Sequence, residues 1–508
     1  MKMNGRIQLF PVLRLVLFLV VGIVLGEEFY SVVHVYVWFA ALVVSFVIAL
    51  FVRKHCVAQT VFIFVSMMSL GGYLAAYELS TLDVKLPKNE ICYSAVIVSP
   101  PVISGKVVRC DMIVTDQHSP FKIRASIYRD NRAESIKAGY GVKAVSMIEK
   151  PENLAGSDFD YRRYMLYHGF VGTTFLYIDD WCGADVDLRK LSLIERTKIA
   201  ALLLRNKLLD IFRSLGFEGQ GYAVLAAMVL GERVTISDEL NDDYSVSGAM
   251  HVLSLSGLHL GIIYAMLSLL FLGRRRLILT QVVVLCAIWT YVVIVGMPIS
   301  AVRSAVMLTV YSFVCLLNRE PMSLNALAVS AFVLLVCNPL NLYDVGFQMS
   351  FASVFFILVF YHPLYMLLPV KIRTTAVIKR IWQMSAVSIA AQAGVAPLVA
   401  FYFGRFSCYF LLTNFIVVPA ATVILYGAVF VMFTGWLPLV QSWLCYLLAK
   451  VVNMMNSGVS FIASLPYASI EGIRLNIIQV IAIYVIMFSL YILFVHLRKM
   501  FWGFKLKT

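Results

Sequence analysis

Long apolar runs separated by short charged segments set the pattern of this chain, interrupted once by a stretch that alternates instead. A segment needs about 20 predominantly apolar residues to cross a hydrocarbon core about 30 Å thick. Three such runs open the chain, near residues 7–26, 31–52 and 57–79. Residues 81–190 then switch to a period of two with turn residues between runs, the pattern of half-buried strands. Strands are predicted at 91–100, 105–116, 121–130 and 140–149, and a short helical pattern at 160–169 precedes a last strand at 170–179. Five strands with a helix before the last are compatible with an OB-fold barrel, and a purely structural β-domain fits the pattern equally well.

Residues 195–217 carry leucines and isoleucines on one broad face, with Lys198, Arg205, Lys207 and Arg213 on the other. That distribution suits a helix lying on the membrane surface with its basic residues toward head groups. The apolar run 222–233 is too short to span and reads as re-entrant. About nine further spans follow, near 247–272, 277–296, 299–317, 323–338, 344–369, 382–403, 407–434, 437–464 and 474–496, the short 323–338 reading as a broken or re-entrant element. The predicted class is a polytopic α-helical membrane protein of about 12 transmembrane helices with a small extracytoplasmic, OB-like β-domain. Its parts are a three-helix membrane segment (1–80), the β-domain (81–190), interfacial or re-entrant helices (191–235), a channel bundle (236–500) and a cytoplasmic tail (501–508).

Composition removes the soluble alternatives. The 508 residues are 61% hydrophobic and 14% charged, where soluble chains carry about a quarter charged residues. A net charge of +14 is no nucleic-acid footprint by itself, because cytoplasmic loops of membrane proteins collect Lys and Arg. Arg53 and Lys54, Arg274 to Arg276, Arg319, the group Lys371, Arg373, Lys379 and Arg380, and finally Arg498, Lys499, Lys505 and Lys507 fall in alternate loops. Both termini are therefore expected in the cytoplasm of an inner-membrane protein, with the β-domain outside it. Nine cysteines show no CxxC or metal-ligand spacing. Cys286, Cys315, Cys337, Cys408 and Cys445 lie in apolar spans, while Cys92, Cys110 and Cys182 lie in the polar region. Two of those three can pair if that region is oxidising, with Cys92 and Cys110 the candidate disulfide.

Polar groups inside apolar spans are costly and usually face a bundle interior or a wet cavity. The richest case is "SGAMHVLSLSGLHLGIIYAM" (247–266), with His251, Ser254, Ser256, Gly257, His259 and Gly261. On one continuous helix Ser256 and Ser254 would point to nearly opposite sides, so no single stripe holds the four polar groups. A break at Ser256–Gly257 resolves the conflict, with Ser256 capping a second half-helix. Elsewhere Ser300, Arg303 and Ser304 share a face, and Asp344 and Gln348 are predicted one turn apart on another. Gln392 with Pro397, and Asn414 with Pro419, complete the set. Any one of these is more often a packing device than a pathway, with Arg303 free to snorkel to the interface; together they favour a polar route through the bundle.

"LGERVTISDELNDDYSVSGAMHVLSLSGLHLGII" resembles the hallmark of the ComEC family of competence proteins, and "PISAVRSAVM", "DVGFQMSFAS", "QAGVAPL" and "LLTNFIVVPA" follow in family order. "DFDYRRYMLYHGFVGT" resembles the segment closing the family's external OB-like domain. The resemblance implies a channel that passes single-stranded DNA across the cytoplasmic membrane during natural transformation. Many members also end in a metallo-β-lactamase-like nuclease domain. The present sequence has no HxHxDH cluster among its 8 histidines, so a short form lacking that domain is expected.

The expected protein is thus no enzyme, with no catalytic residue, metal or cofactor. Tyr128, Tyr161, Arg162, Arg163 and Tyr164 are candidate DNA contacts, by stacking and backbone charge, or else a packed helix-to-strand junction. Expected partners are single-stranded DNA, membrane lipid, an extracytoplasmic DNA receptor, and a cytoplasmic ATPase or strand-binding proteins; the chain itself carries no Walker A pattern. Oligomerisation is open. Two alternatives stand beside this reading. One is an intramembrane metal-dependent enzyme using His251, His259 and Asp242 or Asp243; the other is a small-solute transporter.

Overall fold

The computed structural model describes residues 10–116, 120–153, 159–271, 278–317, 324–369 and 375–502. The loop cations at 274–276, 319, 371 and 373, the side chains of Arg498 and Lys499, and residues 503–508 lie outside that description. The chain divides into two compact units. The first is Met1–Phe212, Arg276–Leu317 and Ala328–Asp344; the second is Arg213–Arg275, Asn318–Leu327 and Val345–Thr508.

The chain begins with α1 (Pro11–Glu28), α2 (Val35–Phe51) and α3 (Cys56–Leu82). Glycines let α1 and α3 approach backbone to backbone: a Cβ at Gly22 would overlap the Met68 carbonyl oxygen. Small residues at such contacts are what bind helices where lipid removes the hydrophobic drive.

The β-domain follows: β1 (Ile91–Ile97), β2 (Val102–Ser104), β3 (Val107–Val114), β4 (Phe121–Tyr128), the short α4 (Asn131–Glu134), β5 (Gly141–Ser146), α5 (Tyr161–Tyr167), β6 (Phe170–Leu176) and β7 (Trp181–Gly183). The order is β6-β4-β3-β1-β5-β7, with β2 on β3. All pairings are antiparallel except β4 with β6. Past the end of β5, Glu149 exchanges backbone hydrogen bonds of 2.9 and 2.8 Å with Thr173 of β6, so the sheet curls until the segment after β5 meets β6. Alternate residues such as Ile97, Met112, Ile123 and Val142 fill the interior, as the period of two requires. Cys110 lies in that interior and Cys92 is exposed; both are free, so the candidate disulfide is not formed. The register explains this, since β1 and β3 run antiparallel with Ala95 opposite Val114.

Helix α6 (Leu193–Ser214) lays Ile199 over Val96, Val98 and Ile113 on the outer side of β1 and β3. Its basic residues do not form one solvated face, because Arg205 is buried, at 5% exposure. Then come α7 (Gly219–Leu230), α8 (Asp238–Val246), α9 (Met250–Leu253), α10 (Gly257–Leu270), α11 (Ile278–Ile294), α12 (Ile299–Leu316) and α13 (Leu324–Cys337). They are followed by α14 (Val345–Tyr365), α15 (Ala376–Phe403), the strand β8 (Phe406–Ser407), α16 (Phe410–Phe433), α17 (Pro438–Ala463), the strand β9 (Ser469–Ile470) and α18 (Ile477–Trp502). The short α7 is buried continuously from Tyr222 to Leu230, the signature of a helix enclosed on all sides.

Among the described residues six helices are long and apolar enough to cross a membrane: α3, α12, α14, α15, α16 and α18. The helices α2, α7, α10, α11 and α13 are apolar but shorter. At 26 residues α17 has the length and is not among the six; asparagines, serines and a lysine dilute its apolar content.

Candidate functional site

The conflict within residues 247–266 is resolved by unwinding. Helix α9 ends at Leu253, Ser254 and Ser256 are extended, and α10 starts at Gly257. Ser256 is the N-cap of α10, and its N–H donates to His259 Nδ1 at 3.3 Å, with Ser256 Oγ 3.0 Å from the same nitrogen. His259 thereby reaches back to the start of its own helix, the geometry of a capping box with imidazole in place of a carboxylate. An accepting Nδ1 leaves the proton on Nε2, and Nε2 is buried with no hydrogen-bond partner among the described residues. On the other half, Ser254 Oγ donates to the His251 carbonyl at 3.2 Å, and His251 Nδ1 lies 3.1 Å from the Gly248 carbonyl oxygen. His251 and Gly257 are exposed, whereas His259 is fully buried. Gly248 has φ +83°, and a Cβ there would meet Ser407 Oγ at 2.9 Å. At Gly261 a Cβ would meet nothing within 4 Å.

Neighbouring elements fasten this break. Thr413 Oγ1 of α16 donates to the Ser247 carbonyl at 2.9 Å, and Tyr426 of the same helix donates to the Ile262 carbonyl at 3.3 Å. Helix α8 is tied to α17: Tyr244 donates to Asn456 Oδ1 at 2.8 Å, and Ser460 donates to Asp243. Asp242 pairs with Arg405 at 2.9 Å, and Arg405 also holds Glu471 at 2.8 Å. The two aspartates a metal reading would use are thus bound to α17 and Arg405. Among the described residues no three His, Cys, Asp or Glu side chains gather as a metal site.

Arg303 does not snorkel. It is buried, and its Nη1 donates to Asp344 Oδ1 at 2.8 Å. Asp344 does not share a helix face with Gln348, because its backbone is extended at the end of a 3-10 turn (Pro339–Tyr343) and α14 begins only at Val345. Gln348 Oε1 instead accepts from Tyr402 at 2.8 Å. Asn414 donates to Ser388 at 3.2 Å. Gln392 is half-buried on α15, which runs unbroken past the buried Pro397; α16 likewise runs past the exposed Pro419. Arg303 and Asp344 belong to the first unit and the other intramembrane candidates to the second, each set held by its own bonds.

In the β-domain, Tyr161 and Tyr164 of α5 form an aromatic ladder with Phe159 and His168, at centroid distances of 6.4, 5.5 and 4.2 Å from Tyr164. Arg162 and Arg163 are exposed beside it. Tyr128 is not part of this group: β6 starts beside Lys122, so α5 stands at one end of β4 and Tyr128 at the other. The residues that fasten α5 escaped sequence reasoning. Tyr167 donates to Glu27 of α1 at 2.8 Å and stacks on Tyr343 at 4.5 Å. Burial first, and then the Glu27 carboxylate, push the Tyr167 hydroxyl pKa up. His168 Nδ1 donates to the Tyr164 carbonyl at 2.7 Å, and its Nε2 stands 3.6 Å from Asp344 Oδ2. The three-residue step from Tyr164 to Tyr167 was the available signal, but nothing local says that Glu27 and Asp344 are the partners.

Residues 228–497, more than half of the chain, match the family described as Competence protein. In Bacillus subtilis (strain 168), "ComE operon protein 3" is 28% identical over 387 residues, which cover 71% of this chain and 46% of that protein. The match therefore spans under half the length of that relative. No solved structure matches the chain.

Proposed function

Because the chain belongs to the Competence protein family, we propose that it forms the channel through which single-stranded DNA crosses the cytoplasmic membrane during natural transformation. The observation that carries this reading is the unwound Ser254–Ser256 stretch between α9 and α10. Non-helical backbone at membrane depth is tolerated only where protein buries it or it lines a wet cavity. His251 and Gly257, exposed on either side of the unwound stretch, are the residues such a route would reach.

The finer architecture belongs to the same proposal: about 12 spans, with α1, α2, α10, α11, α13 and α17 beside the six long ones, both termini in the cytoplasm and the β-domain outside. The strand order β6-β4-β3-β1-β5, the parallel β4–β6 pair and the helix before β6 support an OB-like barrel. Its Phe159–Tyr161–Tyr164 ladder, flanked by Arg162 and Arg163, offers stacking and charge to an incoming strand. The chain works without chemistry of its own and draws on a DNA receptor outside and an ATPase or strand-binding proteins inside.

The test is uptake of labelled DNA by a deletion strain complemented with wild type or with His259→Phe. Loss of DNase-resistant label in the deletion strain, restored by wild type and not by His259→Phe, is expected. Normal uptake by the deletion strain would overturn the proposal.

A further inference from the structure

Lys450 stands on the 26-residue helix α17, about 18 Å from its first residue and about 20 Å from its last at 1.5 Å per residue. It is exposed, and it makes no ion pair or hydrogen bond among the described residues. Half a hydrocarbon core is about 15 Å, while a lysine stem reaches about 6 Å. Snorkelling from the helix midpoint therefore cannot bring the ammonium to the head groups. An ionisable residue at that depth needs a partner or water.

Its surroundings on the helix identify which. At 100° per residue, Lys450, Ser457, Tyr446, Asn453 and Ser460 fall within an arc of about 80°. Asn453 and Ser457 are exposed like Lys450. The polar arc does not fade into lipid on its far side: Ser460 and Asn456 bond to Asp243 and Tyr244 of α8, and Asn453 Oδ1 comes within 2.8 Å of a Cβ built on Gly221 of α7. The adjoining flank, about 20–60° to the other side of Lys450, is apolar and exposed, with Trp443, Leu447, Met454 and Phe461, while the buried Leu448, Val452 and Val459 lie opposite Lys450. One side of α17 thus faces lipid and the other joins a polar wall, with Lys450 at the seam. Lys450 is the one charged side chain of α17, and the Asp243 carboxylate at the far edge of the arc is engaged by Ser460. Cation pathways are lined by acidic rings, and anion or phosphate pathways by Lys and Arg.

We propose that Lys450 is a mid-membrane contact for the phosphate groups of the strand, on a wall completed by Asn453 and Ser457; the inference rests on the DNA-channel reading above. The lysine supplies the fixed charge, and the neutral amide and hydroxyl groups give hydrogen bonds weak enough to release a moving polyanion.

The experiment uses the deletion strain complemented with full-length variants, scoring DNase-sensitive surface DNA and DNase-resistant internal DNA separately. With the chain present in the membrane at wild-type amounts, K450R should keep internal DNA within about twofold of wild type. K450M should lower it about tenfold and K450E abolish it, with surface DNA unchanged in all three. Wild-type internalisation by K450E overturns the inference, whereas normal uptake by the deletion strain instead overturns the channel reading. In parallel, K450C should react with a membrane-impermeant methanethiosulfonate far faster than M454C or F461C, and incoming DNA should slow that reaction. Equal rates at the three positions would mean that Lys450 faces lipid. Shielding of K450C with cross-linking between copies would mean a subunit interface. Either result also overturns it.

Discussion

Arg303 and Asp344, 41 residues apart, meet in a buried ion pair of 2.8 Å. Asp344 is shared, because the His168 imidazole stands 3.6 Å from its second oxygen. The pair fastens α12 to the 3-10 turn before α14, and through His168 it reaches the helix-to-strand junction of the β-domain. Removing one partner of a buried pair leaves the other uncompensated, which costs about 3–5 kcal/mol, whereas removing both costs far less. Arg303→Leu should therefore destabilise the protein in detergent more than the Arg303→Leu/Asp344→Leu double variant does. Thermal unfolding of the purified variants checks this, and a double variant no more stable than the single would contradict it.

The break at Ser256 depends on a side chain that accepts at Nδ1. His259→Asn keeps an acceptor on a short stem, while His259→Phe keeps bulk without one. The first should retain more DNA internalisation than the second. Ser256→Ala should cost about 1 kcal/mol, the usual worth of an N-cap. The comparison is read from uptake together with melting temperature, so a packing loss common to both histidine variants separates from loss of the cap.

Tyr167→Phe removes the hydrogen bond to Glu27 and leaves the stack on Tyr343 in place. A bond to a charged acceptor is worth about 1.5–3 kcal/mol, and partial exposure of Glu27 brings the expected loss to about 1 kcal/mol. Glu27→Gln combined with Tyr167→Phe should show a coupling of that order in a double-mutant cycle. Additive effects would mean that the hydroxyl and the carboxylate do not act together.

Burial, with a smaller push from Asp111, raises the Cys110 thiol to about 12. At pH 8 it stays protonated and enclosed, so iodoacetamide should modify the exposed Cys92 and Cys182 and leave Cys110 untouched in the native protein. A group raised on folding favours the folded state below its unfolded value and loses that contribution as pH climbs through the folded one. Cys110 should therefore destabilise the β-domain progressively between about pH 9 and pH 12, and Cys110→Ala should flatten that part of the curve. Mass spectrometry of alkylated peptides and unfolding at graded pH check the two statements.

The elements most legible in the sequence were those with a strong period. The three opening helices, β1, β3 to β6 and helix α5 emerge within a few residues of where alternation and apolar length put them, because burial on one face forces that repeat in the strands and a long apolar run favours helix. The unwinding at Ser256 was equally local, since four polar groups cannot share one stripe of a continuous helix. Arg205 shows the limit: its position on a basic face gave no sign that it is buried.

What the sequence determined by itself was therefore the class of protein, its β-insert and the broken helix, all consequences of short-range periodicity and the cost of polar groups among apolar ones. Partnership was decided only by tertiary structure. Arg303 chose Asp344 over the interface, Asp344 left the face it was assigned with Gln348, Tyr167 found Glu27, and Ser460 found Asp243. A buried polar group must be satisfied, but chain-distant partners are selected by how helices pack, and no local pattern encodes that choice.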